Sequence, residues 1–343
     1  MRETHLIIST APQSPEVYDD DPGSEDVDRR CFVVEGEGHG IRIDKVLAQT
    51  IHGFSRSYLQ QLLECADVSV NDSVVRKPSY KLKIGDRVVI ALRATEQSKA
   101  FVPEPMPLDI VFEDDDLLVL NKPAGLVVHP APGNWTGTLL NGLLAHKPCF
   151  AEVPRAGIVH RLDKDTSGLM VVAKHRGAMD ALVAAIAARE VERQYLAIAK
   201  GVWQLGSGPY SVRGPIGRDP ANRLRMAVVD LARHAGKEAK TDVTCLAQSV
   251  SGLLVHCRLH TGRTHQIRVH MASIHLPLVA DSVYGGPKGG AIGRQALHAT
   301  RLSFQHPFTG LPMQFVSTPP ADFQAELALM GLRYNEAMLP YRG

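Results

Sequence analysis

The apolar and polar positions of this chain change rhythm along its length, and each rhythm predicts an element. Tyr58, Leu59, Leu62, Leu63 and Ala66 recur at helical spacing, which predicts a helix capped by Ser55. A shorter helix is expected before it, opening at Arg42-Ile43-Asp44. Residues 68–75 alternate and turn at Asn71-Asp72, the pattern of a hairpin, and Gly85-Asp86 leads into a further strand at 87–92. From residue 107 onward the two periods mix. Strands are expected at 108–113 and 117–120 around a tight acidic turn, then at 169–174, 194–199, 241–247 and 252–259. Helices are expected at 137–145 and at 176–189, the latter with Met179, Leu182 and Ile186 on one face. Strands and helices do not alternate regularly, so the fold class is α+β with a mixed sheet.

These rhythms divide the chain. Residues 1–30 are rich in acid, Pro and Ser and are expected to form a disordered acidic tail, since such a segment buries too little to offset ordering. Residues 33–93 form a small α/β domain, 94–106 a polar linker, and 107–335 a larger domain. A chain of 343 residues with 44% hydrophobic and 22% charged residues supports two such cores and argues against bulk disorder or a coiled coil. Five cysteines with no CxxC pair argue against a disulfide framework or a zinc knuckle. The sequence has no apolar run of about 18 residues and no basic segment leading into an apolar one at its start, so a cytoplasmic protein with no membrane partner is expected.

Net charge is only +2, but its distribution changes the picture. Residues 1–30 carry a net −5, whereas 155–301 hold twenty-one Lys or Arg and ten Asp or Glu, an excess of eleven. A basic body behind an acidic tail favours a polyanionic partner. In the small domain Arg42, Lys45, Arg56, Lys77 and Lys81 surround two short helices and a hairpin. That order resembles the S-four RNA-binding domain, and the resemblance implies that these five residues contact RNA.

The densest polar run is Gly157-Ile158-Val159-His160-Arg161-Leu162-Asp163-Lys164-Asp165-Thr166-Ser167-Gly168, between a turn at 154–157 and an apolar strand. Reactive side chains concentrate on loops held by a rigid scaffold. Taken as residues alone, the run can be a surface turn capped by Asp163 and Asp165. It also approaches the D-x-D-x-T pattern of magnesium-dependent haloacid-dehalogenase-type phosphatases. That pattern should end a buried strand, whereas His160 and Arg161 interrupt the apolar residues here.

A third reading rests on several ordered motifs. The run 160–168 resembles the signature of the ribosomal large subunit pseudouridine synthases. Asn121-Lys122-Pro123-Ala124-Gly125-Leu126 with His129-Pro130 is similar to the first motif of that family. Residues 192–197, 261–271, 277–281 with Tyr284-Gly285, 296–299 and 306–310 follow in the family's order. The stretches 130–134 and 153–157 look most like the D-type branch, which acts on uridines in a stem-loop of domain IV of 23S ribosomal RNA.

The resemblance implies a pseudouridine synthase, an isomerase that needs no cofactor and no metal, with 23S ribosomal RNA or a large-subunit precursor as partner. It carries a catalytic carboxylate onto Asp163, the cation that keeps it ionised onto Arg268, and the active-site tyrosine onto Tyr195. Sequence leaves open whether Asp163 attacks the sugar, attacks the base or removes the 2′ proton. Arg161 matches the residue that replaces the flipped base; His160 and Lys122 join it as substrate-binding positions, His160 more as a support of the loop. Other 23S or transfer-RNA uridines, or a non-catalytic ribosome-assembly factor, are the alternatives. His256, His260, His265, His270 and His275 suggest a metal, but spacing of five does not share a helix face. The glycine-rich 284–293 lacks the context of a phosphate cradle and is expected to be a loop.

Overall fold

The computed structural model describes residues 28–51, 56–92, 98–131 and 133–340. Most of the expected acidic tail, the Ser55 cap and the first part of the expected linker lie outside these residues. The chain divides into two compact units on either side of Thr95 and Glu96.

The smaller unit runs β1 (Asp28–Val33), α1 (Ile43–Thr50), α2 (Arg56–Glu64), β2 (Val68–Val70), β3 (Ser73–Val74) and β4 (Arg87–Leu92). Its antiparallel sheet has the order β1-β4-β2-β3. Val88, Ile90 and Leu92 of β4 alternate into a core closed by Ile43 and Leu47 of α1 and Leu59, Leu62 and Leu63 of α2. The hairpin turns where expected, with Asn71 and Asp72 both at positive φ (49° and 63°). Residues 28–30, expected to belong to the tail, are instead strand, with Arg30 opposite Ile90. A ladder is made of backbone groups, so a polar, exposed strand can pair as well as an apolar one.

The larger unit continues with β5 (Ile110–Glu113), β6 (Leu117–Lys122), α3 (Leu139–His146), β7 (Ser167–Ala173), α4 (Arg176–Ala188) and β8 (Glu192–Ala199). Then come β9 (Tyr210–Arg213), β10 (Ile216–Arg218), β11 (Met226–Val228), β12 (Gly236–Lys237), β13 (Lys240–Gln248) and β14 (Leu253–Leu259). It closes with α5 (Gln266–Ser273), β15 (Leu297–Gln305), β16 (Pro312–Val316) and α6 (Ala321–Leu329). The main sheet has the order β5-β6-β7-β15-β8-β14-β13-β9, with β16 also on β15. Its β7–β15 pair is parallel and its other pairs are antiparallel, so the sheet is mixed and the fold is α+β.

Both faces of this sheet are covered. Leu118, Leu120, Met170, Tyr195 and Ala197 pack on one side with Leu140 and Leu143 of α3 and Ile267 and Met271 of α5. On the other, Val119 and Val171 meet Met179 and Leu182 of α4, and Leu196 and Ile198 meet Phe323 and Leu327 of α6. That explains why β7 and β8 read as continuous apolar-rich runs.

The stretch 94–106 was expected as a linker, but its later part docks on the larger unit. Asn141 Nδ2 donates to the carbonyls of Ala100 (3.2 Å) and Val102 (2.8 Å), and Gly137 N–H donates to the Glu104 carboxylate (2.8 Å). One buried asparagine satisfies this backbone, and composition carries no signal of that.

Candidate active site

The polar run 160–168 forms the loop that enters β7, and neighbouring elements hold it by its backbone. Gly168 has φ +116°, and a Cβ there would lie 2.2 Å from the carbonyl oxygen of Ala299 on β15, so the close parallel pairing needs glycine. Arg294 donates to the carbonyl of Asp165 (2.9 Å) while its guanidinium grips Asp322 of α6. Asp163 C=O accepts from Thr166 N–H (3.1 Å), closing a tight turn. Asp163 therefore sits ahead of β7, not at the end of a buried strand where the phosphatase pattern requires it.

Lys122, expected to bind substrate, does something else. It is fully buried, and its ammonium donates to the carbonyls of Pro123 (2.8 Å), Leu126 (2.9 Å) and Lys164 (2.9 Å). Burial pulls its pKa down to about 7, opposed by the Asp165 and Asp163 carboxylates. Its three donors are used up in tying the 123–126 turn to the Asp163 loop.

Asp163 lies in the wall of a cleft of about 650 Å³ that is also lined by Tyr195, Arg161, His160, His265 and Arg268. Arg268, on the first turn of α5, donates from Nη1 to Asp163 Oδ2 (3.2 Å). Its Nε and Nη2 form a bidentate pair with Asp281 (2.7 and 2.9 Å), which is 1% exposed. The guanidinium also lies over the Tyr284 ring, 5.0 Å from its centre. This double clamp fixes the guanidinium plane before any substrate arrives.

A second chain of bonds reaches the same carboxylate. Tyr284 Oη accepts from Met226 N–H (3.1 Å) and lies 2.7 Å from His265 Nδ1. Burial lowers the His265 pKa, which favours the neutral ring. Its Nε2 lies 3.9 Å from Asp163 Oδ1.

Tyr195 stands on β8 between Cys257 and Ala299. Burial raises its hydroxyl pKa to about 12, with the Asp163 charge acting in the same sense, so it stays protonated at neutral pH. Arg161 is exposed at the cleft. His160 supports the loop: its Nε2 accepts from Val171 N–H (3.1 Å), and burial drops its pKa to about 3. The structure thus brings Asp163, Tyr195, Arg268, Arg161 and His160 to one cleft and places Lys122 behind it.

Asp281, Tyr284 and His265 acquire their places only in the fold. Their motifs are readable in sequence, but nothing there says which carboxylate orients Arg268. The five histidines considered together as metal ligands scatter. His256 bonds Gln194 (3.0 Å), His260 bonds Asp242 (2.5 Å), and His270 bonds Thr241 (2.9 Å).

In the smaller unit Arg42, Lys45, Arg56, Lys77 and Lys81 are all exposed. Two of them share an anchor. Asp44, fully buried, accepts from Arg42 (3.0 and 3.2 Å), Arg56 (2.6 Å) and Gln60 (2.7 Å).

Comparison with known proteins decides what this arrangement belongs to. The RNA pseudouridylate synthase model matches residues 116–273 and the S4 domain model matches 41–88. The chain is 48% identical over 330 residues to the "Ribosomal large subunit pseudouridine synthase D" of Neisseria meningitidis serogroup B, covering 92% of this chain and 86% of that one. It is 43% identical over 310 residues to the protein of the same name from Escherichia coli, covering 87% and 93%.

The chain belongs to the RNA pseudouridylate synthase family.

Among solved structures, human RNA Pseudouridylate Synthase Domain Containing 1 superposes with a TM-score of 0.50 at 26% identity, over 65% of this chain and 90% of that one. As a pseudouridine synthase the protein is an isomerase acting on RNA, with an N-terminal S4 domain as an RNA-binding module. The family match spans the loop, Tyr195 and Arg268, so the cleft lies within the region that defines the family. No helix among the described residues is long and apolar enough to cross a membrane.

Proposed function

We propose that the protein converts specific uridines of 23S ribosomal RNA, in a stem-loop of domain IV, to pseudouridine, with Asp163 as the catalytic carboxylate. The names of its relatives support the ribosomal target. The observation that carries the chemistry is Asp163 in the cleft wall, clamped by Arg268, with Tyr195 lining the same cleft.

The reaction breaks the bond between C1′ and N1 of uracil, turns the base, and joins C1′ to C5. The C5 proton is lost and one proton is gained at N1, so substrate and product are isomers. A carboxylate paired with Arg268 in the cleft wall can serve attack on C1′, attack on the base, or removal of the 2′ proton. Arg268, hydrogen-bonded to Asp163, stabilises the carboxylate charge after water leaves. A uridine inside a stem must first be extruded, and Arg161, planar and exposed at the cleft, fills the gap by stacking and hydrogen bonding. Tyr195 offers its ring to the base and a protonated hydroxyl to the proton exchange at C5. The exposed basic residues of the S4 domain, with Arg42 and Arg56 anchored by Asp44, contact the RNA backbone.

Replacing Asp163 by Asn keeps the shape and removes the charge. Pseudouridine formation on the domain IV stem-loop should fall below detection while the dissociation constant for that RNA stays within about threefold, since phosphate contacts dominate affinity. Isomerisation by the Asp163→Asn protein at a rate near wild type would overturn the assignment. Pseudouridine mapping of ribosomal RNA from cells lacking the protein tests the target: unmodified uridines confined to domain IV are expected.

A further inference from the structure

The cleft lining is unbalanced in charge: it holds six arginines, at 155, 161, 189, 193, 263 and 268, and one carboxylate, Asp163. Asp163 is taken by Arg268, which is itself held by Asp281. Arg193 is different from the others on the rim. It is 7% exposed, its Nε is buried without a partner, and it makes no ion pair or side-chain hydrogen bond among the described residues. Burying a guanidinium without a counter-ion is costly, and a fold keeps one where a ligand completes it.

Its position is defined. Arg193 is two residues before Tyr195 on β8, so the two side chains leave the same face of the sheet about 7 Å apart. The loop after β14 packs against it: a Cβ on Gly262 would lie 2.7 Å from Arg193 Nη1. Beside it is a second unfilled donor. His160 Nε2 accepts from Val171, so the neutral ring carries its proton on Nδ1, and that atom too is buried with no partner. Two buried donors in this part of the cleft thus have no partner among the described residues.

We propose that Arg193 is a substrate-binding residue that receives the phosphodiester flanking the target uridine, and so seats the flipped nucleotide with its base at Tyr195. This rests on the pseudouridine synthase reading above. A phosphodiester is preferred to the uracil carbonyls because the missing partner is a full negative charge present before reaction. A phosphodiester carries that charge and the unreacted base does not.

The test uses the full-length protein and a synthetic domain IV stem-loop in which one methylphosphonate, which lacks the charge, replaces the phosphodiester on the 5′ or the 3′ side of the target uridine. Wild type should lose on the order of tenfold in affinity, read as Kd and KM, on one of the two RNAs. Arg193→Gln should lose a similar factor on unmodified RNA and nothing further on that same methylphosphonate, with kcat changed much less than KM. Arg193→Lys should recover part of the loss. Equal affinity of wild type for all three RNAs would overturn the proposal without any variant having to fold. So would a drop in kcat at unchanged KM, which would assign the guanidinium to the departing uracil. Turnover of unmodified RNA by wild type tests the reading on which the proposal rests; if turnover is absent while the methylphosphonate discrimination persists, that reading fails and the anion site stands.

Discussion

At the scale of single residues, chemistry depends on which partners burial leaves to each group. Tyr195 illustrates this. Its hydroxyl has no hydrogen-bond partner among the described residues, and burial moves its pKa up to about 12. It therefore serves as a neutral donor and acceptor, not as a phenolate. The Tyr195→Phe protein should bind RNA as wild type does, because the ring is kept. Its single-turnover rate should fall by roughly 10² to 10⁴, the range of a lost acid–base group. In wild type no rise in rate from phenol ionisation is expected between pH 8 and 10, since a raised pKa keeps the proton on through that window; a rise centred near 10 would contradict the buried environment. Residue types in motif order were enough to propose Asp163, Tyr195 and Arg268. They were not enough for Lys122, since a lysine in a polar motif reads as substrate-facing until three carbonyls are found around it.

At the scale of elements, α1 and α2 are joined by one buried charge. Burial alone would raise the Asp44 pKa, but hydrogen bonds from Arg56, Arg42 and Gln60 outweigh it and hold the carboxyl far below its ordinary value of 3.8. A depressed pKa means the folded state binds fewer protons, so the stability Asp44 contributes is complete above pH 3.8 and is lost as pH falls below it. In acid titrations of unfolding, the S4 domain of wild type should weaken over that range. The Asp44→Asn protein should start roughly 1.5–3 kcal/mol lower at pH 7 and show a flatter acid limb. It should also bind RNA more weakly, because Arg42 and Arg56 lose their anchor. The helices and the hairpin were legible from period and turn chemistry. Strand β1 was not, because a polar edge strand carries no alternation and exists only because β4 offers it a ladder.

At the scale of the molecule, the net charge of +2 hides an excess of eleven between residues 155 and 301. The fold collects six arginines of that stretch in one cleft. Binding of the domain IV stem-loop should therefore weaken log-linearly with salt, with a slope of several phosphates. Fluorescence anisotropy of the Asp163→Asn protein measures it without turnover, and a fragment of residues 96–343 should keep most of that slope. A flat response in the fragment would place the affinity in the S4 domain instead. The sequence by itself determined the class of fold, the family and the three residues proposed for catalysis, because periodicity and ordered motifs are local properties. Tertiary structure alone decided what surrounds them. Asp281 reaches Arg268 across 13 residues of chain, Lys122 reaches the Asp163 loop across 42, and Arg193 is buried with no ion pair among the described residues, while the pairing of β7 with β15 and β15 with β8 joins segments about a hundred residues or more apart. Electrostatic partners are set by distance in space, and no spacing along the chain encodes that.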